Sequence, residues 1–311
     1  MQFSENERLA IDEIAALDQN DLLDQIKEIS TAAWDREVES ISVRSWLNNF
    51  SGDALENEAA ERNLALWILN NFVLYTDRDV RALSTNLWWQ YIHFQLDQFA
   101  SSGFMESCPL QEKRAYIVEK TVIQPLGNCS GSGTNVAYFF RQSNRLKKER
   151  FKIPESGDFE YLVLVDDATL SGEQAEENFS TYDYIHDKKK IILTFISTDE
   201  AKSYLSGKTT VLSAIDLDEK SKCFSEQSYV FKAHCNWIPV AKRMCNHYGR
   251  KLDPRNPLGY RKGQYTFGYY YNIPNNSLPI FWGTIGGWVP LFTRYFCDER
   301  DMEELVDEKF Y

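Results

Sequence analysis

The residues best suited to chemistry lie in one short segment, YLVLVDDATLSGEQA, at residues 161–175. Five residues typical of a buried strand precede Asp166 and Asp167, and a short loop of small residues then leads to Gly172. A strand–loop–helix turn presents backbone N–H groups at a helix N-terminus, which favours a bound phosphate. Gly172 permits a positive φ and a close approach of the ligand. The segment therefore predicts an anion site beside a pair of carboxylates.

The loop also carries two hydroxyl donors, Thr169 and Ser171. Asp166 and Asp167 would lie about 6–10 Å from a phosphate in this loop, given the reach of two or three residues. A ribose 5-phosphate has this shape, with a phosphate at one end and two hydroxyls at the other. The carboxylates would accept hydrogen bonds from the ribose hydroxyls or hold a hydrated Mg²⁺.

A second loop rich in glycine and serine precedes this segment, in LGNCSGSG at residues 126–133. Its flexible backbone can form an anion nest, and the residues expected to bind ligand there are Ser130, Gly131, Ser132 and Gly133. Two alternatives stay open. The aspartates can be a polar strand end with a helix cap, and GSGTNV can be half of a dinucleotide fingerprint, although it lacks the third glycine and the usual acidic residue.

The elements that must position these loops follow from periodicity. Residues 5–100 show helical spacing of apolar residues and predict three to five packed helices, one of them starting near Thr76 and Asp79. Apolar runs then alternate with helical patterns, and the runs predicted as strands are 115–127, 161–165, 190–198 and 209–217. This alternation predicts a parallel α/β sheet flanked by helices. In such sheets ligands bind beyond the carboxyl ends of the strands, where both loops fall.

Composition suggests three regions: a helical region at 1–112, an α/β core at 113–224, and a C-terminal region at 225–311. The last begins with a helix, CNWIPVAKRMCNHYG, and continues in a segment rich in Pro, Asn and aromatic residues. Five aromatic residues there could stack on a base as a hood, or could equally pack as a core: Tyr269, Tyr270, Phe281, Trp282 and Trp288. For Asn275 and Asn276, turn chemistry is favoured over reading a base.

The global composition narrows the function classes. A net charge of −12 and a pI near 5.0 argue against a broad footprint on DNA or RNA. No apolar run is long enough for a membrane span, and the acidic start does not resemble a signal peptide. Six cysteines without a CxxC pair indicate free thiols in a reducing, cytoplasmic setting. A zinc site is not expected from the cysteine and histidine spacing, namely His234, Cys235, Cys245 and His247.

The segment at 162–172 resembles the phosphoribosyl diphosphate (PRPP) motif of type I phosphoribosyltransferases. That pattern has four apolar residues, two acidic residues, a short stretch of small residues, Thr or Ser, Gly, one variable residue and Thr. The final Thr is replaced here by Gln174. The resemblance implies a type I phosphoribosyltransferase fold, Mg²⁺ bound with the ligand, and Asp166 and Asp167 as catalytic residues and metal ligands.

Flanking segments resemble the phosphoribosyltransferase-like proteins of bacterial conflict systems, some of which accompany retron-type anti-phage modules. The segments are WLNNF at 46–50, NFVLYTDRDVRAL at 71–83, PLGY at 257–260, NIPNNSLPIFWG at 272–283 and WVPLFTRY at 288–295. The resemblance implies an effector in antiviral defence that binds PRPP or a nucleotide, with transfer or N-glycosidase-like cleavage at ribose C1. The alternatives are a nucleotide sensor without turnover and an adaptor that binds a protein partner of a defence operon, such as a reverse transcriptase complex.

Overall fold

The computed structural model describes residues 3–127, 131–292 and 294. Contacts divide the chain into two compact units. The central unit comprises residues 77–218, and the split unit joins the residues before 77 to those after 218. The three-part division at 112 and 224 was drawn from composition and stays a prediction, whereas contacts group the N-terminal helices with the C-terminal segment.

Four helices and a short strand form the N-terminal part of the split unit. They are α1 Glu5–Ala15, α2 Gln19–Ala32, α3 Ser40–Leu47, α4 Glu58–Asn70 and β1 Val73–Tyr75. Side chains cap the starts of three of these helices: Ser4 forms a reciprocal capping box with Glu7, Asp18 accepts from Asn20 N, and Asn57 accepts from Ala60 N. The predicted helical character of this region is confirmed.

The central unit holds five helices and four strands among its described residues. They are α5 Asp77–Ser102, α6 Leu110–Glu119, β2 Thr121–Pro125, α7 Ser132–Ser143, β3 Tyr161–Thr169, α8 Glu173–Ser180, β4 Lys189–Thr198, α9 Asp199–Leu205 and β5 Thr210–Leu217. The strands pair in parallel in the order β2-β3-β4-β5. The predicted parallel sheet flanked by helices is confirmed. The strand predicted from residue 115 is wrong at its start, because residues 115–119 belong to α6.

Helices cover both faces of this sheet. On one face, α8 and α9 pack over an apolar cluster: Val122, Leu126, Phe159, Leu162, Leu164, Ala175, Ile185, Ile192 and Leu205. On the other face, α7 contacts β2 and β3 while α5 contacts β4, β5 and α7. The ring of Phe140 from α7 stacks on Phe195 of β4 with centroids 6.3 Å apart. Coverage on both faces explains the continuous apolar run at 161–165, which is typical of parallel strands.

The C-terminal part of the split unit contains α10 Ile238–Leu252 and β6 Phe267–Tyr269, which pairs in parallel with β1. Tyr269, Phe281 and Trp282 are buried here, so these three rings pack in the core of the unit, the alternative that the sequence left open. Asn276 donates from Nδ2 to Tyr260 O, in agreement with the turn chemistry expected for it. No described helix combines the length and the apolarity needed to cross a bilayer.

Candidate functional site at the carboxyl edge of the sheet

Asp166 and Asp167 lie inside β3, which continues to Thr169 rather than ending before them. Adjacent residues of a strand point to opposite faces, and the two carboxylates differ accordingly. Asp167 is buried at 5% exposure, whereas Asp166 is half-buried. Thr169 lies on the same strand face as Asp167, is also buried, and its Oγ1 has no hydrogen-bond partner within the described part of the chain.

The start of α7 meets the end of β3 at Asp166. Ser132 Oγ donates a hydrogen bond to Asp166 Oδ1 at 2.9 Å, and the backbone N–H of Asp167 donates to the same oxygen at 3.0 Å. Gly131 is the N-cap residue of α7. The first residue of α7 and a carboxylate of β3, 34 positions apart in the sequence, are therefore joined by a hydrogen bond. Ser130, predicted to bind ligand, lies outside the described residues.

Close approach of α7 to the sheet depends on Gly133. A Cβ atom on this residue would lie 2.8 Å from Val165 O and 2.9 Å from Leu126 O. Both neighbours are backbone atoms, so no side-chain rotation would make room. A glycine at this position thus allows the N-terminus of α7 to lie directly on the carboxyl ends of β2 and β3.

The electrostatic environment raises the pKa of Asp166 well above its usual range. The largest cause is burial, followed by the charge of neighbouring Asp167, while the hydrogen bonds from Ser132 and from the Asp167 N–H oppose the shift. The ionised form of Asp166 is therefore destabilised in this environment, and a nearby cation or further hydroxyl donors would stabilise it. Perturbed carboxyl groups of this kind are concentrated at functional sites.

The predicted phosphate turn follows β3. Gly172 adopts a left-handed conformation (φ 80°) immediately before α8, and Ser171 is half-buried beside it. A Cβ atom on Gly172 would lie 2.9 Å from Cδ1 of Tyr204, which packs over the turn from α9. Glycine is therefore required here both for its backbone conformation and for the space it leaves.

Residues 43–294, most of the chain, match the family model PRTase-CE. The chain belongs to the PRTase-CE family. Orotate phosphoribosyltransferase from Aeropyrum pernix is similar to 32% of this chain at 14% identity with a TM-score of 0.24, and the match takes in 61% of that enzyme. The chain thus spans less than two thirds of the enzyme's length. A search of curated protein sequences finds no match. The family match confirms the predicted phosphoribosyltransferase-like class.

Two hydroxyl residues missed by the sequence reasoning support the turn in this PRTase-CE protein. Ser197 Oγ donates to Thr169 O at 3.0 Å, and Thr198 Oγ1 donates to Leu170 O at 2.7 Å. Thr198 Oγ1 also accepts from Ala201 N at 3.0 Å as the N-cap of α9. The end of β4 therefore holds the carbonyls of the turn in place. The only signal in the sequence was the pair of small hydroxyl residues that ends the apolar run of β4.

Acidic side chains dominate the surroundings of the turn in the PRTase-CE chain. Glu173 and Glu176 lie in the first turn of α8, where Glu176 accepts from the hydroxyl of Tyr204 and pairs with Lys208. Together with the two aspartates, these groups bring more negative than positive charge to the site. An anionic ligand here needs a cation to offset that charge.

The donor set for such a cation is small. The described residues include no group of three or more Asp, Glu, His or Cys side chains that could hold a metal by themselves. Since Asp166 and Asp167 point to opposite faces of β3, the geometry favours Asp166 alone as a direct ligand. Mg²⁺ commonly binds to one or two carboxylates and completes its shell with water and ligand phosphates, which fits this arrangement.

Proposed function

We propose that the carboxyl edge of the sheet binds a ribose-phosphate ligand, PRPP or a nucleotide, together with Mg²⁺. The observation that carries this proposal is the hydrogen bond from Ser132 Oγ to Asp166 Oδ1. It brings the first residue of α7 to the carboxylate that precedes the turn at Gly172. A ligand with a phosphate and vicinal hydroxyls matches these two features at once.

Each part of the ligand has a counterpart in the chain. The ribose hydroxyls would donate to Asp166, whose pKa is raised by burial and by the charge of Asp167, so that these donors would stabilise its ionised form. The phosphate lies at the turn of Ser171 and Gly172, at the N-terminus of α8. A diphosphate group would reach the N–H groups at the start of α7, at residues 131–133. Asp166 would hold Mg²⁺ when the ligand binds, and the ion would offset the negative charge of the acidic side chains of the turn.

If the site is catalytic, the reaction is a displacement at ribose C1. The C1–O bond breaks and its electron pair leaves with the diphosphate, while a base or water forms a bond to C1 and releases a proton. The ionised Asp166 stabilises the positive charge that develops on the sugar. The N–H groups at the start of α7 bind the departing anion, and Mg²⁺, held by Asp166, would supply further charge neutralisation.

Isothermal titration tests this proposal. PRPP and common nucleotides are titrated with and without Mg²⁺ into the wild type, Asp166→Asn, and the matched control Asp183→Asn. Asp183 is an exposed carboxylate of the same unit, paired with Lys190. We expect Mg²⁺-dependent binding that Asp166→Asn abolishes and the control retains. Binding that is unaffected by Asp166→Asn, or no binding of any of these ligands, contradicts the proposal.

A role in antiviral defence, with protein partners encoded in the same operon, is the second part of the proposal. It follows from the resemblance of the flanking segments to proteins of bacterial conflict systems. The test compares phage plating efficiency on cells that carry the complete operon with the wild type or with Asp166→Asn. Protection that requires Asp166 supports an effector that acts through this site, and protection by both forms places the defence role elsewhere in the molecule.

A sensor without turnover is the second candidate function. It is favoured by Gln174, which replaces the final threonine of the motif and is exposed in the first turn of α8. Loss of that hydroxyl removes one phosphate contact that the motif provides. Tight nucleotide binding with no product, measured by chromatography of the bound nucleotide after long incubation, distinguishes the sensor from the enzyme.

A further inference from the structure

The outer edge of β5 is an open edge of the central sheet. β5 is the last strand of this four-stranded sheet, with β4 on its inner side and with α5 and α9 packed against it. Every residue of β5 is at least partly exposed, whereas most residues of β3 and β4 are buried. Because helices contact β5 from both faces of the sheet, this exposure arises at the outer edge, where backbone N–H and C=O groups have no strand partner within the described part of the chain.

The opposite edge of the sheet, formed by β2, is in a different environment. The helical turn Lys148–Phe151 packs against β2, and the side-chain amide of Gln124 donates to Phe151 O at 3.0 Å. For β5, the described elements with extensive contacts are β4, α5 and α9. The two edges of the sheet therefore differ, and β5 is the one available to another strand.

The sequence of β5 lacks the usual protection of an open edge. Soluble proteins protect such edges with proline, lysine, a β-bulge or a very short strand. Residues 210–217 read TVLSAIDL, and their register with β4 contains no bulge. The charged residue of the strand, Asp216, pairs with Lys202 of α9 at 2.7 Å. A regular strand of this kind, with its charge already compensated, is suited to pairing with another strand.

The symmetry of a pair of identical chains restricts how two β5 strands can align. A two-fold axis perpendicular to the sheet makes the strands antiparallel and keeps equivalent faces of the two sheets on the same side. Successive side chains alternate between the faces, so residues that lie opposite each other must both be odd-numbered or both be even-numbered. The axis must then pass beside a single residue, and the two central choices, which overlap most of the strand, are Ser213 and Ala214.

Charges at the ends of the strand favour Ser213. With Ser213 on the axis, Lys208 of one copy lies opposite Asp218 of the other, and symmetry repeats this pair. With Ala214 on the axis, Lys208 instead lies opposite Lys220. Opposite charges across a strand pair stabilise it and like charges destabilise it. The charge pattern of the strand is therefore complementary to a second copy of itself in one register.

We propose that β5 pairs antiparallel with β5 of a second copy of this chain, about an axis at Ser213. The two sheets then form one continuous sheet, and the backbone groups along the outer edge gain hydrogen-bond partners. Val211 of each copy lies opposite Ile215 of the other, which is a favourable pair of β-branched side chains. The inference does not depend on the function proposed for the carboxyl edge of the sheet.

Analytical ultracentrifugation of the full chain over a series of concentrations tests this pairing by charge reversal. Lys208→Glu places like charges opposite each other, and the double variant Lys208→Glu with Asp218→Lys restores opposite charges. Both positions are exposed. Lys208 also pairs with Glu176, and both variants lose that pair, so association regained in the double variant reports the contact between copies. The control for net charge is Lys148→Glu, at an exposed position near β2.

We expect the wild type to dimerise with rising concentration. The dissociation constant should rise about ten-fold or more in Lys208→Glu, because two attractive pairs become repulsive. The double variant and Lys148→Glu should dimerise as the wild type does.

Cross-linking tests the register independently, because only a residue on the axis lies opposite its own copy. In Ser213→Cys the two Cβ atoms would lie about 4.5–5.5 Å apart, within reach of a short thiol cross-linker. The matched control is Ser206→Cys, at an exposed position away from the axis. The wild type treated in parallel gives the background from the native cysteines.

We expect a cross-linked dimer of Ser213→Cys well above the background, and none above it for Ser206→Cys. The inference is overturned if the wild type stays monomeric throughout the concentration series, which would leave the edge to a strand of a different protein. It is also overturned if Lys208→Glu dimerises as the wild type does, or if Ser213→Cys is cross-linked no more than the control.

Discussion

Substitution of Gly133 by alanine tests how the two loops are brought together. A Cβ atom would lie 2.8 Å from Val165 O, 2.9 Å from Leu126 O and 3.0 Å from Leu126 N. To reach an ordinary contact of 3.4 Å, the start of α7 must move away from the sheet by about 0.6 Å. Overpacking of this kind costs about 1–3 kcal/mol.

The intrinsic preference of helices for alanine opposes that cost by about 0.5–1 kcal/mol. The net result expected for Gly133→Ala is a loss of about 0–2.5 kcal/mol in the free energy of unfolding. The same movement lengthens the 2.9 Å bond from Ser132 Oγ to Asp166 Oδ1 towards the limit of a hydrogen bond. We therefore expect the affinity for PRPP with Mg²⁺ to fall by about ten-fold or more.

The matched control is Gly207→Ala in the same unit, where a Cβ atom would meet nothing within 4 Å. Its stability should stay within about 0.5 kcal/mol of the wild type. Denaturant unfolding followed by circular dichroism measures stability, and titration calorimetry measures binding. If Gly133→Ala is as stable as the wild type and binds PRPP equally well, the contact of α7 with the sheet does not position the site, and the reasoning is refuted.

Three further predictions concern buried polar groups. The folded pKa of Asp166 is raised by burial and by the charge of Asp167, so stability falls with rising pH by about 1.4 kcal/mol per unit between the unfolded and folded pKa values. Thermal unfolding measured from about pH 4 to pH 8 should show that the stability of Asp166→Asn falls less with rising pH than that of the wild type, and that the variant is more stable at pH 7. The same dependence of stability on pH in both proteins contradicts this prediction. Thr198→Val should lower the free energy of unfolding by about 1–3 kcal/mol, because Leu170 O and the backbone N–H of Ala201 lose their hydrogen-bond partner. The same change should weaken PRPP binding. Thr198→Ser keeps the hydroxyl and should therefore show wild-type stability in unfolding assays and wild-type affinity in titrations. Glu61 accepts hydrogen bonds from three backbone N–H groups and from the Tyr248 hydroxyl. Glu61→Gln should therefore lower the free energy of unfolding by about 2–6 kcal/mol in denaturant unfolding. The control is Glu58→Gln at an exposed position of the same helix, expected to cost below about 1 kcal/mol, and an equally small cost for Glu61→Gln would show that Glu61 does not stabilise the fold through these bonds.

Local patterns predicted most of the central sheet. The apolar run at 161–165, the run at 190–198 and that at 209–217 correspond to β3, β4 and β5. The runs of β3 and β4 are nearly continuous because these strands are covered on both faces, whereas β5 is a half-exposed edge strand that includes polar residues. The pattern was insufficient where a short run is compatible with two structures. Residues 115–118 form a short apolar run that is compatible with a helix or a strand. The packing of α6 against α5 decided for the helix.

The candidate site was predictable in its residue types but not in its geometry. The aspartates and Gly172 were recognisable from their order along the chain. That β3 continues past them to Thr169 depends on pairing with β4, where Ala168 aligns with Ile196 and Thr169 with Ser197. Asp166 and Asp167 thus lie on opposite faces of β3, and only Asp167 is fully buried.

The sequence by itself determined the helical start of the chain, the parallel strands and the two loops that meet at their carboxyl ends, because each is encoded by the spacing of neighbouring residues. Tertiary structure alone decided which partners those residues find. Thr198 reaches Leu170 across 28 positions, and Tyr248 reaches Glu61 across 187. Hydrogen bonds of this kind depend on which segments lie side by side after folding, and the spacing of neighbouring residues carries no record of that.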